Sequence, residues 1–210
     1  MLNKKIAQIL LEKDAVLLRP EEPFTYASGI KSPIYCDNRL LISHPKARKK
    51  IVKGFVKLIK EQELSFDVIA GTATAGISWA AWIAAYFEKP MVYIRGKEKG
   101  HGKENKIEGC VGPQEKVLIV EDLVTTGGSS LEAVSAVKNI SDNVVGCVAI
   151  FSYGMEKAEK GFAKANVPLK TLTDLDSLLD EAIALEKIRA AQKEMVLNWR
   201  NNPENWLSTR

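Results

Sequence analysis

The sequence predicts an α/β fold: a central, mostly parallel sheet flanked by helices on both faces. Three observations carry this. Apolar segments of strand length alternate with segments of helical periodicity from residue 43 onward. The segments "KVLIVED" (116–122) and "NVVGCVAIFSY" (143–153) are continuously apolar, the pattern of strands covered on both faces. In "FDVIAGTATAG" and "KVLIVEDLVTTGGSS", small residues join a strand to the start of a helix.

Taken in order, "MLNKKIAQILLEKD" sets Leu2, Ile6, Ile9 and Leu10 on one face and reads as an amphipathic helix; no small-residue cleavage site follows it. "AVLLRPEEPFTYASGIKSPIYCD" mixes short β-like runs with Pro and Gly, so two or three short strands are expected. These break the alternation and predict a small N-terminal hood, about residues 15–40, within a single domain spanning 1–210. "SHPKARKKIVKGFVKLIKEQ" spaces Ile51, Phe55, Leu58 and Ile59 helically, with Ser43 as expected N-cap and Pro45 in the first turn. A strand ending at Gly71 follows, then a loop and a helix from about Gly76 to Glu88, then the strand "PMVYIR". "GKEKGHGKENKIEG" is polar, Gly-rich and aperiodic, which predicts a mobile loop over about 96–108. The rest alternates: strand 116–122, helix 127–140, strand 143–153, helix "MEKAEKGFAKA", strand "PLKTL", and one helix from Thr173 to about Arg200.

Composition narrows the function. A net charge of +4 suits anionic small substrates but is too weak for a nucleic-acid stripe, so no nucleic-acid partner is expected. Cys36, Cys110 and Cys147 are far apart without a CxxC, which reads as reduced thiols in a cytoplasmic protein. With only His44 and His101, a His-rich metal centre is excluded. "ISWAAWIAAYF" is too short to span a bilayer, and no membrane association is expected.

In parallel sheets ligands sit beyond the carboxyl ends of strands, so the loops 71–76, 96–108 and 121–129 are the candidate site. The last one is the most informative. Thr125, Thr126, Gly127, Gly128 and Ser129 would offer backbone N–H groups and a helix dipole to a phosphate. Glu121 and Asp122 cannot bind that phosphate, because like charges repel. They suit hydroxyl groups or a divalent cation. A sugar phosphate satisfies both halves. A bare strand–turn–helix would explain an acid pair alone, but not the five small residues after it. A Walker A loop is excluded at "GTATAGIS", where Ile77 stands in the lysine position, and no GxGxxG follows a strand.

"VLIVEDLVTTGGS" resembles the motif of type I phosphoribosyltransferases that binds 5-phosphoribosyl 1-diphosphate (PRPP). "FTYASGIKSPIYCD" resembles the hood, and "YIRGKEKGHGKENKIEG" the mobile catalytic loop, of orotate phosphoribosyltransferases. With "GTATAGI" the resemblance covers essentially the whole chain in order. It implies the type I phosphoribosyltransferase fold and the transfer of ribosyl phosphate from PRPP to N1 of orotate. The products would be orotidine 5'-monophosphate and pyrophosphate, in de novo UMP biosynthesis.

The resemblance also implies roles. Arg95, Lys99 and His101 would contact the diphosphate across a homodimer interface, with Lys97 beside them and His101 as a secondary proton donor. A basic run is by itself usually a solvated face. Its interleaved glycines favour a lid that brings cations to a leaving group gaining charge. Thr72, Ala73 and Thr74 would lie against the diphosphate, Glu121 and Asp122 on the ribose, and Leu123, Val124 and 125–129 along the ribose phosphate. Asp122 is also implied in catalysis. Thr125, Lys31, Phe24 and Tyr26 would meet orotate. Mg2+ is the implied cofactor, held mainly by PRPP and water with Asp122 as the protein ligand. Three departures stand out: Gly96 replaces a second basic residue, Ala75 a loop lysine, and Gly154 an arginine that grips the orotate carboxylate. That leaves the carboxylate's partner open between hood amides and Thr125. The alternatives are a phosphoribosyltransferase for another base, against which the hood argues, and a PRPP-binding regulator, which would need a further domain.

Overall fold

The computed structural model describes residues 2–26, 28–96 and 106–206. Helix α1 (Leu2–Glu12) is followed by the hood strands β1 (Val16–Leu18), β2 (Phe24–Thr25), β3 (Lys31–Ser32) and β4 (Ile34–Cys36), and a 3-10 helix over Asn38–Ser43. Then come α2 (Pro45–Glu61), β5 (Val68–Thr72), α3 (Ala75–Phe87), β6 (Met91–Ile94) and β7 (Ile107–Glu108). The chain continues through β8 (Val117–Val124), α4 (Gly128–Lys138), β9 (Val144–Ser152), α5 (Glu156–Ala165) and β10 (Leu169–Asp174). It closes with α6 (Leu175–Ala184) and α7 (Ala190–Asn201).

Among the described residues the main sheet has six strands in the order β10-β9-β8-β5-β6-β7, parallel except where β7 runs back along β6. The continuous apolar run of β8 serves both faces, because successive side chains point to opposite sides. Leu118 and Val120 join the core shared with α1, α2, α3 and α6, while Val117 and Ile119 join the core under α4 and α5. The chain leaves β5 toward β6 on one side and returns at β8 to run outward through β9 and β10. The β5–β8 junction is therefore the switch point at which such sheets bind ligands.

Four expectations change. Among the described residues the hood has four short strands, paired as β1 with β4 and β2 with β3. Ser43 does not cap α2: it ends the preceding 3-10 turn, so His44 takes the N-cap position without a side-chain bond and Pro45 opens the helix. The loop after β6 is not aperiodic throughout, because Ile107 pairs with Ile94 and Glu108 with Tyr93. The helix expected from Thr173 to Arg200 is a strand end and two helices. Asp174 stays in β10 and caps α6 by accepting from the Ser177 N–H at 2.8 Å. The second break follows Ala184, where Glu186 turns left-handed and the Arg189 N–H donates to the Gln192 side chain to restart α7.

Candidate active site

The carboxyl ends of β5 and β8 and the last hood strand enclose a cleft of about 330 Å3, lined by Cys36, Asp37, Arg39, Ala73, Thr74 and the acid pair among others. On one wall, α3 approaches β8 so closely that a Cβ on Gly76 would strike the Val120 carbonyl. On the other, Asn38 is fully buried and donates its side-chain N–H to the Asp122 carbonyl at 2.8 Å, tying the hood to the strand end. Beside it Arg39 holds Asp37 through two bonds of 2.7 and 2.8 Å, which lowers the Asp37 carboxyl below its usual range.

Glu121 is only 5% exposed. Its carboxylate accepts from the Ser130 hydroxyl at 3.2 Å, the Ser129 hydroxyl at 3.4 Å and the Asp122 N–H at 3.1 Å. Burial, reinforced by the adjoining charge of Asp122, pushes its pKa up to about 8. Burial also raises Asp122, whose hydrogen bond with Glu121 pulls the other way. At neutral pH Glu121 therefore keeps a proton, which hydroxyl donors or a cation arriving at the pair would displace. The Cys36 thiol is raised by burial and the nearby Asp122 and Asp37 charges, which makes it inert rather than nucleophilic.

The turn between β8 and α4 is built as its composition requires. Gly127 takes the N-cap of α4 at φ 81°, a left-handed conformation glycine adopts without strain, and no side chain caps the helix. The first amides of α4 are thereby left without an intrahelical acceptor, at the positive end of its dipole. Ser129 lines the cleft, Thr126 and Gly128 are exposed, and Leu123 is half-buried at its edge. The Val124 side chain is buried in the core under α4 and can offer only backbone to a ligand.

The remaining expected residues divide. Ala73 and Thr74 line the cleft, joined by a cis peptide, but the Ala73 N–H is already bound to the Ile94 carbonyl at 2.8 Å. Within this loop, the Ala73 N–H is thus not free for a ligand. Thr72 is buried with a hydroxyl that meets no acceptor or donor among the described residues. Arg95 follows β6, and its guanidinium pairs with Glu108 at 3.2 Å, a partner no spacing rule pointed to. Lys31 lies on the hood hairpin with Nζ on the Thr25 hydroxyl at 2.6 Å, lining a neighbouring depression instead of the cleft. Phe24 packs against Tyr35 with the rings tilted at 41° and their centroids 5.7 Å apart. Tyr26 donates to the Ile34 carbonyl at 2.8 Å and lines a second cavity together with Thr125. Lys97, Lys99 and His101 lie outside the described residues. The sequence reading missed Asn38, which no motif marks, and Ser130, whose place in "GGSS" was a usable signal.

Residues 41–177 match the phosphoribosyl transferase domain family, the class this switch point and acid-then-glycine turn define. Orotate phosphoribosyltransferase of Halalkalibacterium halodurans is 47% identical over 99% of this chain and 100% of its own length. Among solved structures, orotate phosphoribosyltransferase of Aeropyrum pernix superposes with a TM-score of 0.74 at 25% identity, covering 85% of this chain and 98% of that one. Leishmania donovani UMP synthase gives a TM-score of 0.78 at 25% identity over 94% of this chain, which spans 42% of that protein. The chain belongs to the orotate phosphoribosyltransferase family.

Proposed function

We propose that this chain transfers the ribosyl phosphate of PRPP to N1 of orotate, giving orotidine 5'-monophosphate and pyrophosphate in de novo UMP biosynthesis. One observation carries the reading at atomic level: a buried acid pair of raised proton affinity at the sheet's switch point, followed by a helix N-terminus with no side-chain cap. The pair accepts hydrogen bonds from the ribose hydroxyls, and the α4 amides hold the terminal phosphate. Pinned at both ends, the ribose presents C1 to orotate. The C1–N1 bond forms on one face as the C1–O bond to the diphosphate breaks on the other, inverting the anomeric centre without a covalent enzyme intermediate. Catalysis is then alignment and charge stabilisation.

A Mg2+ ion fits this donor set. Asp122 lines the cleft with raised proton affinity, and among the described residues no three His, Cys, Asp or Glu side chains cluster to hold a metal alone. The ion would take Asp122 together with substrate oxygens and water, as Mg2+ prefers. Bound, it neutralises charge on the diphosphate. Arg95, Lys97, Lys99 and His101 supply the remaining positive charge as the leaving group departs. The enzyme works as a cytoplasmic homodimer whose loops cross into the neighbouring site. In support, α3 turns Tyr86 outward, and Tyr35 and Leu40 are exposed large apolar side chains.

The test is a spectrophotometric assay of orotate with and without PRPP and Mg2+. Orotate should be consumed only when both are added. Turnover of hypoxanthine or adenine in its place would overturn the base assignment.

A further inference from the structure

Beyond the phosphate turn lies a second, larger cavity of about 580 Å3, within the range of small-molecule sites. It adjoins the turn through Thr125 and Thr126, and Ile30, Met155 and Trp199 give it apolar wall. Its far side is α7, a helix the sequence motifs did not implicate. Trp199 ties α7 to the hood by donating its indole N–H to the Lys31 carbonyl at 3.1 Å, and packs edge-on against Tyr153. The next residue, Arg200, lines the same cavity.

Arg200 is held in place. Its Nη1 donates to Asp176 Oδ2 at 2.7 Å, and its side chain is 21% exposed against 58% for Asp176. Among the described residues Asp176 is the one acceptor it meets, so most of the five donors of the fork remain available. The turn after β9 makes room for it. Gly154 has φ 65°, where a side chain is strained, and a Cβ there would lie 3.8 Å from Arg200 Nη1. The guanidinium thus stands where a side chain from the strand end would otherwise project. Lys157 also lines the cavity, but from an exposed position on α5, and Glu156 and Glu204 are exposed on its rim.

This step rests on the activity proposed above. Orotate is a planar ring whose carboxylate sits beside the attacking N1. A cavity with apolar wall, next to the ribose-phosphate turn and carrying one anchored planar cation, complements that shape and charge. We propose that Arg200 receives the orotate carboxylate and is a specificity-determining residue for the base. A bidentate grip on the carboxylate fixes the direction of N1 as well as the affinity.

The test measures KM for orotate and for PRPP separately in wild type, Arg200→Ala, Arg200→Lys, Lys157→Ala and Asp176→Asn, and repeats kcat/KM with uracil, which lacks the carboxylate. Arg200→Ala should raise the orotate KM roughly 10- to 100-fold, the loss expected for charge-assisted bonds, with the PRPP KM unchanged. Its preference for orotate over uracil should fall by a similar factor, and Arg200→Lys should recover part of both. Asp176→Asn removes the anchor but keeps the cation, so its orotate effect should be several-fold smaller. Wild-type orotate KM in folded Arg200→Ala overturns the proposal. So does a larger orotate effect in Lys157→Ala, or equal losses for both substrates in Arg200→Ala and Asp176→Asn, the mark of a purely structural pair. If the wild type does not consume orotate at all, the activity reading itself fails; if it does and Arg200→Ala is silent, only this inference fails.

Discussion

A carboxylate that is almost entirely buried and stands beside another carboxylate costs the folded chain stability whenever both are ionised. Glu121 is in that position, and the raised pKa has a definite linkage sign. The folded state keeps a proton that the unfolded chain releases near the ordinary carboxylate pKa of about 4.3. Stability from this group is therefore full at or below that pH and is lost as pH climbs toward about 8. Asp122, raised as well, acts in the same direction. Glu121→Gln is uncharged throughout, so its melting temperature should gain on the wild type as pH goes from 5 to 9. Parallel wild-type and variant curves over that range would remove the case for a strained acid pair. The same variant should bind PRPP weakly, since a neutral amide accepts hydrogen bonds from ribose hydroxyls less strongly than a carboxylate.

At the scale of elements, the turn between β8 and α4 depends on backbone conformation as much as on side chains. Gly127 sits at φ 81°, while an added Cβ would meet Ala158 of α5 at an ordinary contact distance of 3.4 Å. Gly127→Ala is expected to cost about 1–2 kcal/mol in urea unfolding, from left-handed strain. It should also raise the PRPP KM by tilting the α4 amides, while leaving the orotate KM nearly unchanged. An unaltered PRPP KM would mean those amides do not hold the phosphate. This turn was legible in the sequence because strand, acids, glycines and helix are consecutive, and local chemistry alone dictates their arrangement. The central strands were legible for a related reason: residues such as Ile119 and Val148 are buried on whichever face they occupy, so the run needs no periodicity to declare itself. Where two local signals competed, the reading failed. Ser43 is a good cap by type, but the preceding 3-10 turn had already claimed its backbone. The stretch 173–200 is helical by pattern almost throughout, and only the Asp174 cap and the left-handed Glu186 divide it. Asn38 and Arg200 were invisible for a different reason. Each acts on a segment distant in sequence, across 84 residues for Asn38 and Asp122, and no spacing rule encodes that.

For the whole molecule, the question is whether one chain holds a complete site. The cleft between β5 and β8 has its acid pair, the glycine turn and the Asn38 tie within a single chain. Arg95, which follows β6, is engaged with Glu108 of its own sheet edge. The other loop cations, Lys97, Lys99 and His101, belong to the segment that follows Gly96. If they act on the neighbouring subunit, a chain with a defective loop and a chain with a defective cleft can repair each other. Lys99→Ala should lower kcat far more than it weakens PRPP binding if its cation stabilises the departing diphosphate more than the bound substrate. Asp122→Asn should disable the cleft. When the two inactive chains are mixed and allowed to exchange subunits, half of the dimers are mixed by random assortment, and each has one intact site. Activity should then recover to about one quarter of the wild-type level. A loop that acts on its own chain gives no recovery, because every site keeps one defect, and analytical ultracentrifugation of the mixture confirms that exchange has had the chance to occur. Recovery near a quarter would make the dimer the catalytic unit, with the cleft supplied by one chain and its closing charge by the other.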